Sequence, residues 1–495
     1  MGAPDSKLFD NSYARLPGQF YTRLAPVPVQ QPGPIRVNRE LAQALGLDPD
    51  WLASPEGVAV IAGNALPEGA EPIATVYAGH QFGSYNPQLG DGRAVLLGEL
   101  VSGTGKRYDW QLKGSGPTPY SRGGDGRSPL GPVLREYVVS ECMHRLGVPT
   151  TRALAAVTTG ELVLREQQLP GAVLARVASS HIRIGTFQFF AAHRNIEALQ
   201  ALADHVIDRH YPDARDSDNP VESLLEHVIA AQAKLVAGWQ ALGFIHGVMN
   251  TDNMLLSGET IDYGPCAFMD EFRANQVYSS IDHGGRYAYR NQPAIAHWNL
   301  SCLAQALLPI LDPEEEQAVA LAQAAIDRFP HLFLDEHSRS IAAKLGLAEL
   351  HEEDSSLVED LFEQLEEHNL DFTLSFRRLA DLVYQDGAGP QNVAELFEFP
   401  EGMQHWLARW RKRIAEEPGN REAIQAAMYA ASPALVPRNH LVEAVIEAAT
   451  FQGDFEPFHA LVDALDKPHE YHPNLIYYAT PPRPEEVVRQ TFCGT

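Results

Sequence analysis

Residues 246–264 read His246-Gly-Val-Met-Asn-Thr-Asp252-Asn253-Met-Leu-Leu-Ser-Gly-Glu-Thr-Ile-Asp262-Tyr-Gly264. A helical apolar pattern over 220–242 precedes this stretch and stops at Gly243, a natural C-cap. The apolar runs on either side of Ser257-Gly258 predict a hairpin. Asn253 and Asp262 therefore stand at the edges of a small turn-rich unit. One offers an amide oxygen and the other a carboxylate, the hard donors that Mg²⁺ or Mn²⁺ accepts.

Upstream, the chain supplies the other parts that phosphate chemistry needs. Gly90-Asp-Gly92-Arg93 opens a predicted strand, and glycines there let the backbone come close to phosphates. The run Tyr108-Asp-Trp-Gln-Leu-Lys113 is a second strand, with Lys113 at its end. A Gly/Pro/Ser-rich loop over 114–132 follows. Val133, Leu134, Tyr137, Val138, Cys142 and Leu146 then recur at helical spacing, and Gly147 closes the helix. Glu136 lies on it, placed to fix Lys113 as a cation for phosphates.

The ordered set of glycine loop, lysine, helix glutamate, H-x-x-x-x-x-x-N and D-x-G resembles the protein kinase signature. The expected fold class is α+β: a protein-kinase-like, two-lobed fold with N- and C-terminal extensions, the C-terminal part mostly α-helical. Aligned on His246 and Asn253, Val248 falls where kinases keep the catalytic aspartate, and an apolar side chain cannot accept a proton. The nearest spare carboxylate is Asp252. Three functions compete on this reading: transfer of a nucleotidyl group, ordinary phosphotransfer with Asp252 as base, and a non-catalytic nucleotide-binding scaffold. Val248 speaks against the second. Lys113, Glu136, Asn253 and Asp262 speak against the third.

The strings YAGHQFGSYNPQLGDGRAVLLGE, WQLKGSGPTPYSRGGDGRSPL, HGVMNTDNM and TIDYGPCAFMD resemble the selenoprotein O (YdiU-type) family over nearly the whole chain. The resemblance implies a kinase-like enzyme that transfers AMP from ATP to Ser, Thr or Tyr hydroxyls of proteins, with UTP left open as an alternative donor. The nucleotide is held in reverse, with its γ-phosphate buried. It implies ATP contacts from Gly90, Gly92, Arg93, Lys113, Asp125, Gly126, Arg176, Arg183 and Asp262, metal ligation by Asn253 and Asp262, and Asp252 as proton acceptor. Forked guanidinium groups at Arg176 and Arg183 suit a terminal phosphate. Cys493, in the terminal TFCGT, stands where some members carry selenocysteine, which implies a cysteine-containing bacterial member. A redox bridge from Cys493 to the region of Cys266 is a further family expectation.

Composition bounds the partners. The 495 residues carry 38 Lys and Arg against 64 Asp and Glu, a net charge of −26. Nucleic acid and anionic membrane are thereby disfavoured, since both need a basic footprint. No stretch of about 18 apolar residues is seen, so no membrane span is expected. The start lacks a secretory pattern, and the four cysteines have no C-x-x-C spacing, which fits the bacterial cytoplasm. The chain divides into an N-terminal extension (1–70) with a helix near Asn38–Leu47, a strand-rich nucleotide-binding region (71–180), a helical region with the metal site (181–330), a helical extension (331–467) and a tail (468–495). Within the strand-rich region, residues 150–177 read as strands that reverse at a Thr-Thr-Gly-Glu turn, 158–161.

Overall fold

The computed structural model describes residues 5–384 and 391–492; Cys493 lies outside the described residues. Nine strands form one antiparallel sheet: β1 (Tyr21–Arg23), β2 (Gly33–Val37), β3 (Ile73–Gln81), β4 (Ser84–Gly90), β5 (Ala94–Val101), β6 (Arg107–Lys113), β7 (Ser128–Pro129), β8 (Arg152–Leu164) and β9 (Gln168–Ala178). The main path runs β1-β3-β5-β6-β9-β8-β2, with β4 on β3 and β7 on β9. The central strands are buried on both faces, and their sequences are correspondingly near-continuous apolar runs rather than alternating ones. One face packs on the short N-terminal helices through Leu41, Leu52, Val58 and Ile61 against Trp110, Leu112 and Val173. The other packs on the Leu130–Arg145 helix through Leu134, Tyr137 and Val138.

The rest of the chain is largely helical. The Pro220–Leu242 helix starts at Asn219, whose side chain accepts from Glu222 N, and ends at Gly243 with φ +67°. It packs with the Ile184–Ala192, Ile196–His210 and Gln292–Leu311 helices around Leu224, Leu225, Val228, Leu300 and Leu303. The Asn439–Glu447 and Glu456–Ala464 helices return to the sheet half and cover the Leu130–Arg145 helix. There Arg135 donates to Asn439 Oδ1 at 2.8 Å and to Glu443, and the Phe458 ring meets Tyr137 edge-on.

Most expected elements form. The Asn38 side chain caps the Arg39–Ala44 helix by accepting from Leu41 N. Two readings need correction. Residues 158–161 do not reverse the chain: β8 runs through them with a bulge between Thr158 and Leu162, and the reversal falls at 165–167. The bulge absorbs Gly160 at φ +69°, so a turn-like composition serves an irregular strand instead. The helix bearing Glu136 begins at Leu130, inside the expected loop, because Pro132 is tolerated in a first turn. One helix, Tyr289–Leu311, is long and apolar enough to cross a membrane by length and composition among the described residues. Half of its most apolar window is buried inside the protein, where it meets the Pro220–Leu242 helix.

Candidate active site

A cleft of about 910 Å³ opens between the sheet and the helices. Its wall takes Gly90, Gly92, Arg93, Lys113, Asp125, Gly126, Glu136, Arg176, Arg183, Asp252, Asn253 and Asp262 from separate elements. The volume suits a nucleotide-sized ligand.

Asp262 is the hub. It sits at φ +63°, a left-handed conformation uncommon outside glycine, and its carboxylate faces three cations. Lys113 Nζ reaches Oδ1 at 2.8 Å, Arg176 Nη1 the same oxygen at 2.9 Å, and Arg183 Nη1 reaches Oδ2 at 3.2 Å. Burial favours the neutral acid, yet the charges of Lys113, Arg176 and Arg183 outweigh it and hold the carboxyl well below the usual range.

Each cation is fixed from behind. Lys113 ends β6 and pairs with Glu136 Oε2 at 2.5 Å. Arg176, on the neighbouring β9, bonds Glu136 Oε1 at 3.0 Å, while its Nε and Nη2 both donate to Gln111 Oε1. Burial opposes ionisation of Glu136, but Lys113 and Arg176 overcome it and lower its pKa. Arg183 stacks over the Tyr77 ring at 4.6 Å, donates to Asp252 O, and has Asp91 Oδ1 at 4.0 Å.

The Asn250–Asn253 loop is held by its own motif. His246 is fully buried; its Nε2 lies 2.9 Å from Ile261 O and its Nδ1 accepts from Val248 N, so it ties the loop to the Asp262 segment. Burial keeps the imidazole pKa low, which suits a structural role rather than a proton carrier. Val248 is buried at the cleft wall. Asn253 Nδ2 donates to Val248 O at 3.1 Å, and the amide oxygen makes no hydrogen bond among the described residues. Asp252 is buried, and burial, against the opposing pull of Arg183, raises its carboxyl to about 6.

The glycine segment forms the turn between β4 and β5. Gly90 has φ +151°, and a Cβ there would lie 2.4 Å from the Tyr120 ring. Asp91 is turned inward and accepts from Thr75 N and Oγ1, which pins this turn to β3. Asp125 sits at the rim, where Arg165 bonds both its oxygens. Gly126 (φ +64°) packs on the Gly116 carbonyl, with no room for a Cβ. Cys266 is fully buried next to this site, and its carbonyl accepts from Arg135. Sequence reading missed Asp91, Tyr77 and Gln111. Asp91 alone left a trace, as the acid inside Gly90-Asp-Gly92.

The donor set fits a divalent ion. Asp262 is anionic and Asn253 presents an amide oxygen; these are two hard ligands, with no group of three or more His, Cys, Asp or Glu among the described residues. Such a site suits an ion whose remaining positions are filled by phosphates and water.

Comparison with known proteins identifies the chain's relatives. Residues 6–466 match the family model for protein adenylyltransferase SelO. The chain is similar to the protein nucleotidyltransferase YdiU of Rhodopseudomonas palustris strain BisB18, 56 % identical over 98 % of this chain and 99 % of that protein. The YdiU proteins of Bradyrhizobium sp. strain ORS 278 (56 % identical) and of a Methylorubrum extorquens strain (57 % identical) are covered to the same extent. With a match spanning nearly its full length, the chain belongs to the protein adenylyltransferase SelO family.

Proposed function

We propose that this enzyme moves AMP from ATP onto Ser, Thr or Tyr hydroxyls of proteins, using a two-lobed protein-kinase-like fold. Residues 71–180 and 181–330 form the two lobes, 1–70 and 331–467 the extensions, and 468–495 a tail; the cytoplasm of a bacterium is its compartment. The observation that carries the reading is the cluster of Lys113, Arg176 and Arg183 around one carboxylate at the cleft floor, with Val248 where a kinase base would stand.

In this reading Arg176 and Arg183 take up the terminal phosphate, Lys113 the neighbouring one, and Gly90, Gly92, Arg93, Asp125 and Gly126 line the path of the nucleotide. Asp262, released from its cations by the phosphates, and Asn253 would hold Mg²⁺ or Mn²⁺. When bound, such an ion neutralises phosphate charge. The acceptor hydroxyl oxygen forms a bond to the α-phosphorus as the bond from that phosphorus to pyrophosphate breaks. The hydroxyl proton passes to Asp252, and pyrophosphate leaves with the electron pair. A carboxyl raised to about 6 is a better proton acceptor than an ordinary aspartate, yet still largely ionised at neutral pH.

The test is to supply α-labelled and γ-labelled ATP separately with a protein acceptor. α-Label on protein supports the reading. γ-Label on protein would replace it with phosphotransfer; the same assay with α-labelled UTP measures donor choice.

A further inference from the structure

We propose that Gln81, at the tip of the β3–β4 hairpin, is a positioning residue for Asp252; the inference rests on the reading of Asp252 as proton acceptor. The hairpin closes through Phe82 and Gly83, both at positive φ (+52° and +82°), a two-residue turn that matches the twist of its strands. A phenylalanine in that conformation needs outside support. It comes from the catalytic segment and from Tyr287: Phe82 N donates to Asn250 Oδ1 at 3.1 Å and to Tyr287 OH at 3.1 Å.

The stitching continues residue by residue. His80 N donates to Thr251 Oγ1 at 2.7 Å, and Gln81 Nε2 donates to Asp252 Oδ2 at 3.1 Å. Gln188 closes the seam, accepting from Thr251 Oγ1 and bonding His80 Nδ1. Residues 250, 251 and 252 are thus each gripped by one residue of the hairpin tip. Only one of the three bonds reaches a carboxylate.

The two oxygens of that carboxylate differ. Oδ1 is buried with no hydrogen-bond partner among the described residues. It faces β3, where a Cβ on Gly79 would come within 2.6 Å of it. Oδ2 is the oxygen held by Gln81, and both side chains line the cleft. The oxygen that meets an acceptor hydroxyl is therefore the one whose direction Gln81 sets. An ionised carboxylate oxygen accepts two hydrogen bonds, so Gln81 fills one position and leaves the second for the hydroxyl. Without the amide, the side chain is free to rotate away from the line of proton transfer, and misplacement on the ångström scale costs a large rate factor.

The experiment measures transfer of α-label and nucleotide affinity for Gln81→Met, similar in length but with no donor, and for Gln81→Glu, of the same length and with no amide. Expected is a fall in kcat of ~10–100-fold in both, with KM for ATP and nucleotide affinity within about twofold of the parent. In an Asp252→Ala background the Gln81 substitutions should cause no further loss. Retained nucleotide affinity also certifies folding; should Gln81→Met be unstable, Gln81→Glu carries the same expectation. Loss of nucleotide affinity with unchanged kcat, or an equal loss in both backgrounds, would overturn the positioning role. If Asp252→Ala is inactive while both Gln81 variants retain full kcat, this inference alone fails. If Asp252→Ala itself transfers normally, the base assignment falls and takes the inference with it.

Discussion

Lys113 Nζ lies 2.8 Å from Asp262 Oδ1, joining the end of a central strand to the segment after the Asn253 loop. The same oxygen accepts from Arg176, and the other from Arg183. Without nucleotide, Asp262 is shared by three buried cations, two of which also pair with Glu136. On the proposed reading, nucleotide phosphates take the cations and free the carboxylate for a metal ion.

Removing that carboxylate should act twice. Asp262→Ala leaves its cations without a common partner, and breaking buried pairs typically costs ~3–5 kcal/mol, so Tm without nucleotide should fall clearly. Transfer should drop by ~10²-fold or more, because a hard ligand is lost. Asn253→Ala should lose less, since a neutral donor goes. Full activity of Asp262→Ala in chelator-treated buffer would end the metal assignment.

Arginines and base should separate by what they disturb. Arg176→Ala and Arg183→Ala should weaken nucleotide binding and transfer together. Asp252→Ala should bind nucleotide normally and lose ~10²–10⁴-fold in transfer, the usual range for a general base. Val248→Asp should not yield γ-phosphate transfer if, as proposed, the arginines set the nucleotide's orientation. Isothermal titration beside the labelled-ATP assay distinguishes these outcomes.

Lys344 gives a stability prediction far from the cleft. Its side chain is buried, its ammonium stands 4.9 Å from the centre of the Phe376 ring, and it makes no ion pair among the described residues. Burial depresses its pKa to about 7. Between pH 7 and 10 the unfolded chain binds the proton more tightly than the folded one, so this lysine's destabilising effect shrinks as pH rises. Lys344→Met should stabilise the protein at pH 7.5. That gain should shrink by roughly 1.4 kcal/mol per pH unit toward pH 9, read by denaturant unfolding. A gain independent of pH would refute the assignment.

The tail offers a redox test. Thr491 Oγ1 donates to Pro265 O at 2.7 Å and Thr491 N to Tyr278 O at 2.8 Å, so Thr491 docks against the residue before Cys266. If Cys493 controls activity through that segment, mild oxidation should change transfer reversibly, and Cys493→Ser should remove the response. An unchanged response in that variant excludes the thiol.

The sequence by itself determined the pieces and their order. Gly243 marks the end of a helix by its left-handed cap, and Lys113, Glu136, Asn253 and Asp262 stand out because residue type at motif spacing is local information. The Thr158–Glu161 segment misled for the same reason: its composition favours a turn, while pairing with β9 makes it a bulged strand. Apart from the Lys113–Glu136 pair, only the tertiary structure decided what the motif residues meet. That Arg176 shares Asp262 with Lys113, that Tyr77 lies under Arg183, and that Gln81 holds Asp252 from 171 residues away depends on strand register and on the docking of a hairpin against a loop. Those placements follow from burial of surfaces assembled from many distant segments, so they leave no local pattern along the chain.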